Sequence, residues 1–432
     1  MTAARKKRTA GAGRRAKGVP GRARVERTKR ETEMKQKQLA QWVHRLHMLE
    51  KESPGSELQP EDAEPTADED KPARPHCLSE DSCNGLACRD TVFTHEELFQ
   101  ELRTLALTRG GVLTHAMRKE IWPFFLGHAS AGHTHSLQDQ HKLPVMDSAL
   151  YFAGKIGPHR EDDQIEKDVE RSLWHYDVVK TIRESDRRTK RRSLTWIINS
   201  VLRTDPELHY YQGYHDICSV FLLVTGDQAA YPLVLQVSET YMREGMRSNF
   251  DTVLNAIRML FPLIQRADEE LYDHIQESGV EPFFALPWMI TWFAHHLQRF
   301  DAVARLYDAF LCSHPLFSLY VSAAVVLDAR QRVLSCECDF GTMHNTLSKL
   351  PYVMDVERVL EIAIGLFEDT PPGTLVKISA MENVLMSSSY FQFPYVYQQQ
   401  FGVEKPLPVV PNAFARHKRY VAHLFWAVLY CR

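Results

Sequence analysis

The chain has 432 residues, 44% of them hydrophobic and 25% charged, so it can bury at least one sizeable core and is not disordered throughout. Its formal net charge of −3 argues against a nucleic-acid footprint over the whole chain and leaves local charge as the guide to partners. The eight cysteines lack the paired spacing of a disulfide framework, which is typical of a reducing compartment, and we interpret them as free thiols.

The first 90 residues divide into a basic block and an acidic block. Residues 1–35 contain thirteen Lys or Arg against three Glu, and residues 50–70 contain nine acidic residues against one lysine. Neither block can bury enough apolar surface to offset chain entropy, so we predict that residues 1–90 are disordered, apart from a short amphipathic helix near 36–49 outside the domain. The basic arm could bind an acidic membrane, nucleic acid or the acidic block, although a solvated tail is the simplest interpretation. No apolar segment follows the basic start, so it is not a secretory signal.

Two helices are predicted at the start of the folded part. "THEELFQELRTLAL" opens with Thr94 and Glu97 at capping-box spacing, and "THAMRKEIWPFFLG" has Thr114 as a candidate cap and Gly127 as a stop. A loop over about residues 128–158 follows. Its four histidines have no fixed ligand spacing, so we interpret them as loop residues rather than a metal site.

Helical periodicity dominates from residue 187 onward. The predicted helices include "RRSLTWIINSVLRTDPELH", a buried helix "YHDICSVFLLVTGD" that stops at Gly226, and two helices within 252–279 that meet near Ala267. "PFFALPWMITWFAHHL" is predicted to place the core residues Trp288 and Trp292 on one helical face. Further helices break near Pro315 and stop at 371–373.

We find no run of alternating strands and therefore predict an all-α fold with three parts. These are the charged N-terminal region 1–90, a multi-helix domain 91–375 and a C-terminal extension 376–432. The extension ends in "RHKRYVAHLFWAVLYCR", whose twelve-residue apolar run would span only about 18 Å as a helix against about 30 Å of hydrocarbon. It could dock on the domain, lie in a membrane interface or begin an anchor, and its flanking basic residues favour the interface.

The sequence lacks the glycine-rich motifs of a nucleotide cradle and the usual serine-hydrolase and zinc-hydrolase motifs. If the chain takes part in chemistry, we expect it to contribute groups to the site of another protein. Arg171 in "IEKDVER" and Gln212 in "HYYQGYHD" have the required chemistry. In phosphoryl transfer a guanidinium neutralises charge on the γ-phosphoryl oxygens, and a carboxamide, which both donates and accepts, orients the attacking water.

These motifs resemble the signature of the TBC-domain Rab GTPase-activating proteins. The resemblance rests on four stretches in the same order, which supply Ile165, Asp168 and Arg171; Tyr210, Gln212 and Gly213; Arg118 and Trp122 in "RKEIWP"; and Arg305 and Asp308 in "RLYDAFL". It implies a wholly helical domain in which Arg171 is an arginine finger and Gln212 positions the water, with the other residues in support. It also implies that the chain has no cofactor and no metal of its own, because the partner Rab holds Mg and GTP. The chain would then be an activator that supplies catalytic residues in trans.

Longer stretches such as "PELHYYQGYHDI" and "FALPWMITWFAHHL" are similar to the member-20 branch of this family. That resemblance implies a Rab of ER-to-Golgi traffic and a cytoplasmic protein that is peripheral to, or anchored at, ER or Golgi membranes. One departure concerns the residues after Arg171, which are Ser172 to His175 where many family members have Thr-Phe-Pro. From the residues alone, Arg305 and Asp308 could form an intrahelical ion pair of small energy.

Two alternative functions remain open from the sequence. The first is a non-catalytic adaptor that binds a Rab through the same domain. In the second, the basic N-terminal arm is the functional element and binds nucleic acid or anionic lipid. This alternative predicts a steep dependence of binding on salt.

Overall fold

The computed structural model describes residues 20–51, 95–127 and 148–392, and all the regular secondary structure in these ranges is helical. The predicted all-α fold is confirmed. The α-helices in chain order are α1 (Pro20–Lys51), α2 (His95–Leu107), α3 (His115–Phe125), α4 (Ser148–Phe152), α5 (Asp162–Glu170), α6 (Glu184–Thr204), α7 (Tyr214–Thr225), α8 (Asp227–Thr240), α9 (Asp251–Arg258), α10 (Leu260–Ala267), α11 (Glu269–Glu277), α12 (Leu286–Ile290), α13 (Phe300–Phe310), α14 (Phe317–Asp328), α15 (Arg330–Leu334), α16 (Phe340–Ser348), α17 (Val356–Asp369), α18 (Pro372–Ile378) and α19 (Glu382–Leu385).

Several predicted helix ends are confirmed. The Thr114 side chain accepts a hydrogen bond from the backbone N–H of Met117 at 3.2 Å and so caps α3. Gly226 ends α7 with φ of 87°, a left-handed conformation that glycine adopts without a Cβ penalty. The predicted cap at Thr94 lies outside the described residues.

Three predicted segments differ from the structure. The region 252–279 belongs to three helices rather than two, because α10 begins at Leu260 directly after Met259 ends α9. The helix that carries Trp288 ends at Ile290, and Trp292 has φ of 46°, so the two indoles do not share a helical face. Pro372 does not end the helical region; it begins α18, because a proline at the first helical position lacks only an N–H that would be unpaired there.

The packing of Trp292 shows why residue spacing along the chain did not predict its backbone conformation. Its ring packs edge-on against Tyr241 and Tyr307, at centroid distances of 5.3 and 5.2 Å, and is only 2% exposed. Burying an aromatic side chain fully is worth about 1.5–3 kcal/mol, which outweighs a left-handed backbone costing about 1–2 kcal/mol. Trp288 is also fully buried, so the assignment of both indoles to the core is confirmed.

Helix α13 lies at the centre of the packed region and contacts α2, α7 and α17. On one side α6, α7 and α8 pack against one another, and on the other α14 packs along α17. An aromatic cluster joins α3 to this centre: the ring of Trp122 lies 5.9 Å from that of Tyr307 and 5.6 Å from that of Phe221. The loops that carry Arg171 and Gln212 extend from α5 and α7 at the edge of this core.

The N-terminal helix differs from its prediction. Helix α1 is longer than residues 36–49 and packs on α2 and α3 through the buried side chains of Leu39 and Leu46, so it is part of the folded unit. Lys35 is 9% exposed, and its ammonium donates to the carbonyls of Thr108 and Arg109 at 3.1 and 2.8 Å. Burial, followed by the nearby charge of Arg305, lowers the pKa of Lys35 to about 8.

The packed region also continues past the predicted boundary at 375. Tyr390 and Phe391 are buried, and the ring of Phe391 lies edge-on to His314 with centroids 5.2 Å apart. The predictions for residues 1–19, for the acidic block and the cysteines within 52–94, for the histidines within 128–147 and for the C-terminal apolar run all lie outside the described residues. None of the helices in the described ranges is both long and apolar enough to cross a bilayer.

His314 leads to a prediction about acid stability. Its imidazole is 1% exposed and burial lowers its pKa to about 3, whereas an unfolded histidine titrates near 6.5. Between these values the unfolded chain binds the extra proton, so stability is full above about pH 6.5 and falls as the pH drops towards 3. We expect this residue to contribute a loss of about 2 kcal/mol between pH 7 and pH 5.

Urea unfolding of the parent chain and of His314→Asn at both pH values measures this contribution. The asparagine oxygen can still accept from the backbone N–H of Leu316, which Nδ1 of His314 does at 3.1 Å. The variant should lose about 2 kcal/mol less than the parent. His44→Asn, at an exposed position of α1, should behave as the parent does. An equal loss in the parent and in His314→Asn would contradict the assignment.

Candidate functional site: an arginine and a glutamine on two joined loops

Arg171 lies at the C-terminal end of α5. This short helix begins with Asp162 and Asp163, which favour the positive end of the helix dipole, and it is anchored by the buried side chains of Ile165 and Val169. Arg171 itself is the C-cap residue, and its side chain is 56% exposed. Ile165, one of the predicted supporting residues, is completely buried.

Asp168 holds the guanidinium of Arg171. Its carboxylate is 1% exposed, and Oδ1 accepts from Nη2 of Arg171 at 2.6 Å. Its other oxygen, Oδ2, accepts from Nε2 of Gln164 at 3.0 Å and from the hydroxyl of Tyr210 at 2.9 Å. Nε of Arg171 also donates to the carbonyl of Lys167 at 3.1 Å. Asp168 therefore joins the arginine to the loop that carries Gln212.

Tyr210 continues the network into the core through His215. The hydroxyl has one proton, which it donates to the carboxylate of Asp168, so Nδ1 of His215 is the donor in the 2.9 Å contact between that ring and the hydroxyl. Burial, followed by the charge of Asp168, raises the pKa of Tyr210 well above its ordinary value. The phenol therefore stays protonated and can keep donating to Asp168.

Asp216 ends this chain of contacts. Its Oδ1 lies 3.4 Å from Nε2 of His215, and its Oδ2 lies 2.9 Å from Nδ1 of His295. Burial acts to raise the pKa of Asp216, but the charge of His215 and the hydrogen bond from His295 outweigh it and hold that pKa well below its usual range. Asp216 is thus ionised and buried; it accepts the hydrogen bond of His295 and lies beside the imidazole of His215.

Gln212 follows this network at the beginning of α7. Its neighbours fix the backbone: the hydroxyl of Tyr211 donates to the carbonyl of Ile290 at 2.7 Å, and Gly213 has φ of 102°. A Cβ at Gly213 would lie 2.8 Å from Cγ2 of Thr291, so both the conformation and the space require glycine. Within the described ranges no hydrogen bond involves the half-buried carboxamide of Gln212, and so it is available to a partner.

A second bridge between the loops comes from Glu161, which the sequence reasoning missed. Its Oε2 accepts from the backbone N–H of Tyr210 at 3.0 Å, and its Oε1 lies 3.2 Å from Nδ1 of His209. His215, Asp216 and His295 were missed as well. A detectable signal existed for His215 and Asp216, which lie inside "HYYQGYHD", and for His295, which lies inside "FALPWMITWFAHHL". Glu161 had none.

The other predicted residues form a separate cluster between α3 and α13. Arg118 donates from Nε and Nη2 to the two oxygens of Asp308, both at 2.9 Å, and Nε1 of Trp122 donates to Oδ1 of Asp308 at 2.9 Å. All three side chains are buried, with Asp308 at 0% exposure. No contact of this cluster with Arg171 or Gln212 is present in the described part of the chain, so it stabilises the scaffold.

The intrahelical ion pair that Arg305 and Asp308 could form is not present in the described structure, and both residues have partners on other helices. Arg305 instead donates to Oε1 of Glu357 on α17 at 2.9 Å and to the carbonyl of Ala106 at the end of α2 at 3.0 Å. Asp308 pairs with Arg118 of another helix. The spacing along α13 allowed the local pair, but three helices meet here and supply better partners.

The arrangement can present a guanidinium and a carboxamide to a second molecule from two loops that share a buried carboxylate. Among the described residues no group of three or more His, Cys, Asp or Glu is placed to hold a metal ion. The fold and the site therefore define an all-α protein with an arginine at the C-terminal end of α5 and a glutamine just before α7, on two loops that Asp168 joins through Arg171 and Tyr210.

A family model described as the Rab-GTPase-TBC domain matches residues 115–334. The human protein TBC1 domain family member 20 is 36% identical over 281 residues, which cover 65% of this chain and 66% of that protein. GTPase-activating protein gyp10 of Schizosaccharomyces pombe is 28% identical over 268 residues, which cover 61% of this chain and 67% of its own. The crystal structure of the Ypt/Rab-GAP domain of Gyp1p covers 62% of this chain and 91% of that chain, at 21% identity and a TM-score of 0.48.

The family model spans just over half of the chain, and the chain belongs to the Rab-GTPase-TBC domain family. Its similarity to TBC1 domain family member 20 spans slightly less than two thirds of that relative. The predicted family is therefore confirmed.

Proposed function

We propose that this chain is a GTPase-activating protein for a Rab GTPase in its GTP form, and that Arg171 and Gln212 act as a pair of fingers in the partner's nucleotide site. Arg171 neutralises charge that develops on the γ-phosphoryl group, and Gln212 orients the attacking water. The partner holds GTP and Mg, so the chain needs no cofactor of its own. The observation that carries the proposal is Asp168, which binds both Arg171 and the residue two positions before Gln212.

The contacts of Asp168 also allow the arginine to move. When Arg171 leaves for a phosphate, Asp168 keeps its hydrogen bonds from Gln164 and Tyr210, so its buried charge is not left without donors. The arginine side chain is more than half exposed, so water can solvate the guanidinium when its pair with Asp168 opens. The pair thus orients the finger at little cost to its transfer.

The early secretory assignment, traffic from the ER to the Golgi, rests on the resemblance of the sequence to the member-20 branch. On the same ground we propose a cytoplasmic protein at the surface of ER or Golgi membranes, held there by the basic N-terminal and the C-terminal segments. Nucleic acid is not part of this proposal, because the net charge is close to zero.

Single-turnover GTP hydrolysis by a panel of purified Rabs tests the proposal directly. We expect the chain to accelerate at least one early secretory Rab by orders of magnitude, and Gln212→Ala to remove most of that acceleration while binding persists. Binding without acceleration in any member of the panel would favour the alternative of a non-catalytic Rab-binding adaptor. The absence of both binding and acceleration across the panel would refute both functions.

Tyr210→Phe tests the link between the two loops. The substitution removes one oxygen, and with it the hydrogen bonds that join Tyr210 to Asp168 and to His215. We expect the stimulated rate at saturating chain to fall about tenfold, because losing one buried hydrogen bond to a charged group costs about 1–3 kcal/mol and the finger loses orientation.

The matched control for this variant is Tyr352→Phe, whose side chain is 48% exposed. It should leave the rate unchanged. A normal rate in Tyr210→Phe would show that the contact between Tyr210 and Asp168 does not position the finger.

A further inference from the structure

Trp174 is a half-exposed indole three residues after Arg171. Its side chain is 48% exposed, although the residue before it, Leu173, is 1% exposed. Leu173 has φ of 59°, an uncommon left-handed backbone for a leucine. This conformation turns the chain so that Leu173 enters the core while Trp174 faces outward. Strained backbone of this kind is energetically unfavourable and clusters at functional sites.

Two arginines of α6 hold the indole in place. The guanidinium carbon of Arg187 lies 3.9 Å from the ring centroid of Trp174, and that of Arg191 lies 4.7 Å from it. Arg187 is itself fixed, because Nη1 pairs with Glu184 at 3.0 Å and Nη2 donates to the carbonyl of Val179 at 2.8 Å. Nε1 of Trp174 is 3.4 Å from the carbonyl of Glu170. The ring is thus preorganised before any partner arrives.

This support leaves polar atoms of the arginines without hydrogen bonds. Nε of Arg187, and both Nε and Nη2 of Arg191, are buried and have no hydrogen-bond partner in the described structure. Cation–π contact with Trp174 offsets part of that cost. An exposed aromatic ring maintained at such a cost is better explained by a contact it makes than by its contribution to the core.

The short distance between Trp174 and Arg171 places the ring within reach of an interface that Arg171 enters. Three residues of extended chain span at most about 11 Å between the Cα atoms of Arg171 and Trp174. A standard interface of about 800 Å² on each partner corresponds to a disc of about 16 Å radius. If Arg171 reaches the nucleotide of a partner, Trp174 is therefore close enough to contact that same partner.

The charges near Trp174 indicate what kind of partner surface would fit it. Residues 180–192 carry seven Lys or Arg against two acidic residues. A half-exposed tryptophan beside a basic helix fits a protein surface with an apolar patch and an acidic rim, and rigid aromatic anchors dominate the energetics of such interfaces. We propose that Trp174, held by Arg187 and Arg191, is a docking contact for the GTP-loaded Rab and a determinant of which Rab binds; this inference rests on the proposed function.

Trp174→Ala and Trp174→Phe test the contact in the full chain. The readouts are KM and kcat for stimulated GTP hydrolysis, and the Kd for the same Rab loaded with a non-hydrolysable GTP analogue. We expect Trp174→Ala to raise KM and Kd about tenfold or more and to change kcat less than about threefold. Trp174→Phe keeps an aromatic ring and should recover most of the affinity. Phe340→Ala, a 53% exposed aromatic residue on α16, is the matched control and should bind as the parent does.

Each other outcome overturns the inference in a distinguishable way. An unchanged KM and Kd in Trp174→Ala shows that the ring makes no contact, while the proposed function stands. A fall in kcat alone shows that Trp174 positions Arg171 and does not dock the Rab. Weaker binding of Trp174→Ala to phosphatidylserine vesicles with unchanged Rab binding assigns the surface to a membrane. If the parent chain neither binds nor stimulates any Rab, the proposed function and this contact fail together.

Discussion

Arg171→Ala is expected to lower the stimulated rate of GTP hydrolysis by about 10³–10⁵, which corresponds to about 4–7 kcal/mol of barrier. The guanidinium would act only on charge that develops in the transition state, so its loss should appear in kcat and leave the affinity for the GTP-loaded Rab within a fewfold of the parent value. Single-turnover hydrolysis at saturating chain, together with an equilibrium Kd, separates the two quantities.

Two further variants sharpen this prediction. Arg171→Lys keeps the positive charge but lacks the planar fork of donors, so it should recover only a small part of the rate. Arg109→Ala removes an arginine whose side chain is 71% exposed and paired only weakly with Glu361 at 3.7 Å, and it should stimulate as the parent does. Stimulation by Arg171→Ala within tenfold of the parent would show that Arg171 is not the finger.

The all-α class and most of the helices followed from the spacing of apolar residues and from capping residues such as Thr114 and Gly226. These signals are local, and they remained valid wherever each helix was decided by its own residues. They were insufficient where contacts distant in sequence decide the backbone. The turn at Trp292 is stabilised by packing against Tyr241 and Tyr307, and no local pattern records those neighbours.

The candidate site, like the fold, could be predicted only where short local motifs identify its residues. Ile165, Asp168 and Tyr210 could be named as supporting residues, because they belong to the short motifs around the two fingers. Their partners could not be read from the motifs alone. Tyr210 and Asp168 are 42 residues apart, and Asp216 and His295 are 79 apart, so only the fold reveals that one buried chain of contacts joins them.

The ionic networks around Asp168 and Asp308 differ in how freely their arginines can move. Asp168 is buried but pairs with an arginine that is 56% exposed, so this pair can open towards a partner. Asp308 pairs with an arginine that is 4% exposed, and the same carboxylate also accepts from Trp122 and from the backbone of Val112. The first network suits a finger that changes partners, and the second fixes α3, α13 and the loop before α3 in one arrangement.

Asp308→Asn is therefore expected to destabilise the fold by about 3–5 kcal/mol, because it leaves the buried guanidinium of Arg118 without a counter-charge. Its amide group would also point a donor at one of the groups that now donate to the carboxylate: Nε and Nη2 of Arg118, Nε1 of Trp122 or the backbone N–H of Val112. Urea unfolding followed by circular dichroism measures the loss.

The control for this variant lies on the same helix. Asp301 is 78% exposed, and Asp301→Asn should change the stability by less than about 0.5 kcal/mol. Adding Arg118→Met to Asp308→Asn removes the unpaired charge while the asparagine oxygen can still accept from Trp122, so the double variant should be more stable than Asp308→Asn alone. If the double variant is instead the less stable of the two, the unpaired guanidinium is not the source of the loss, and the packing of the arginine stem against α3 and α13 contributes more than its charge.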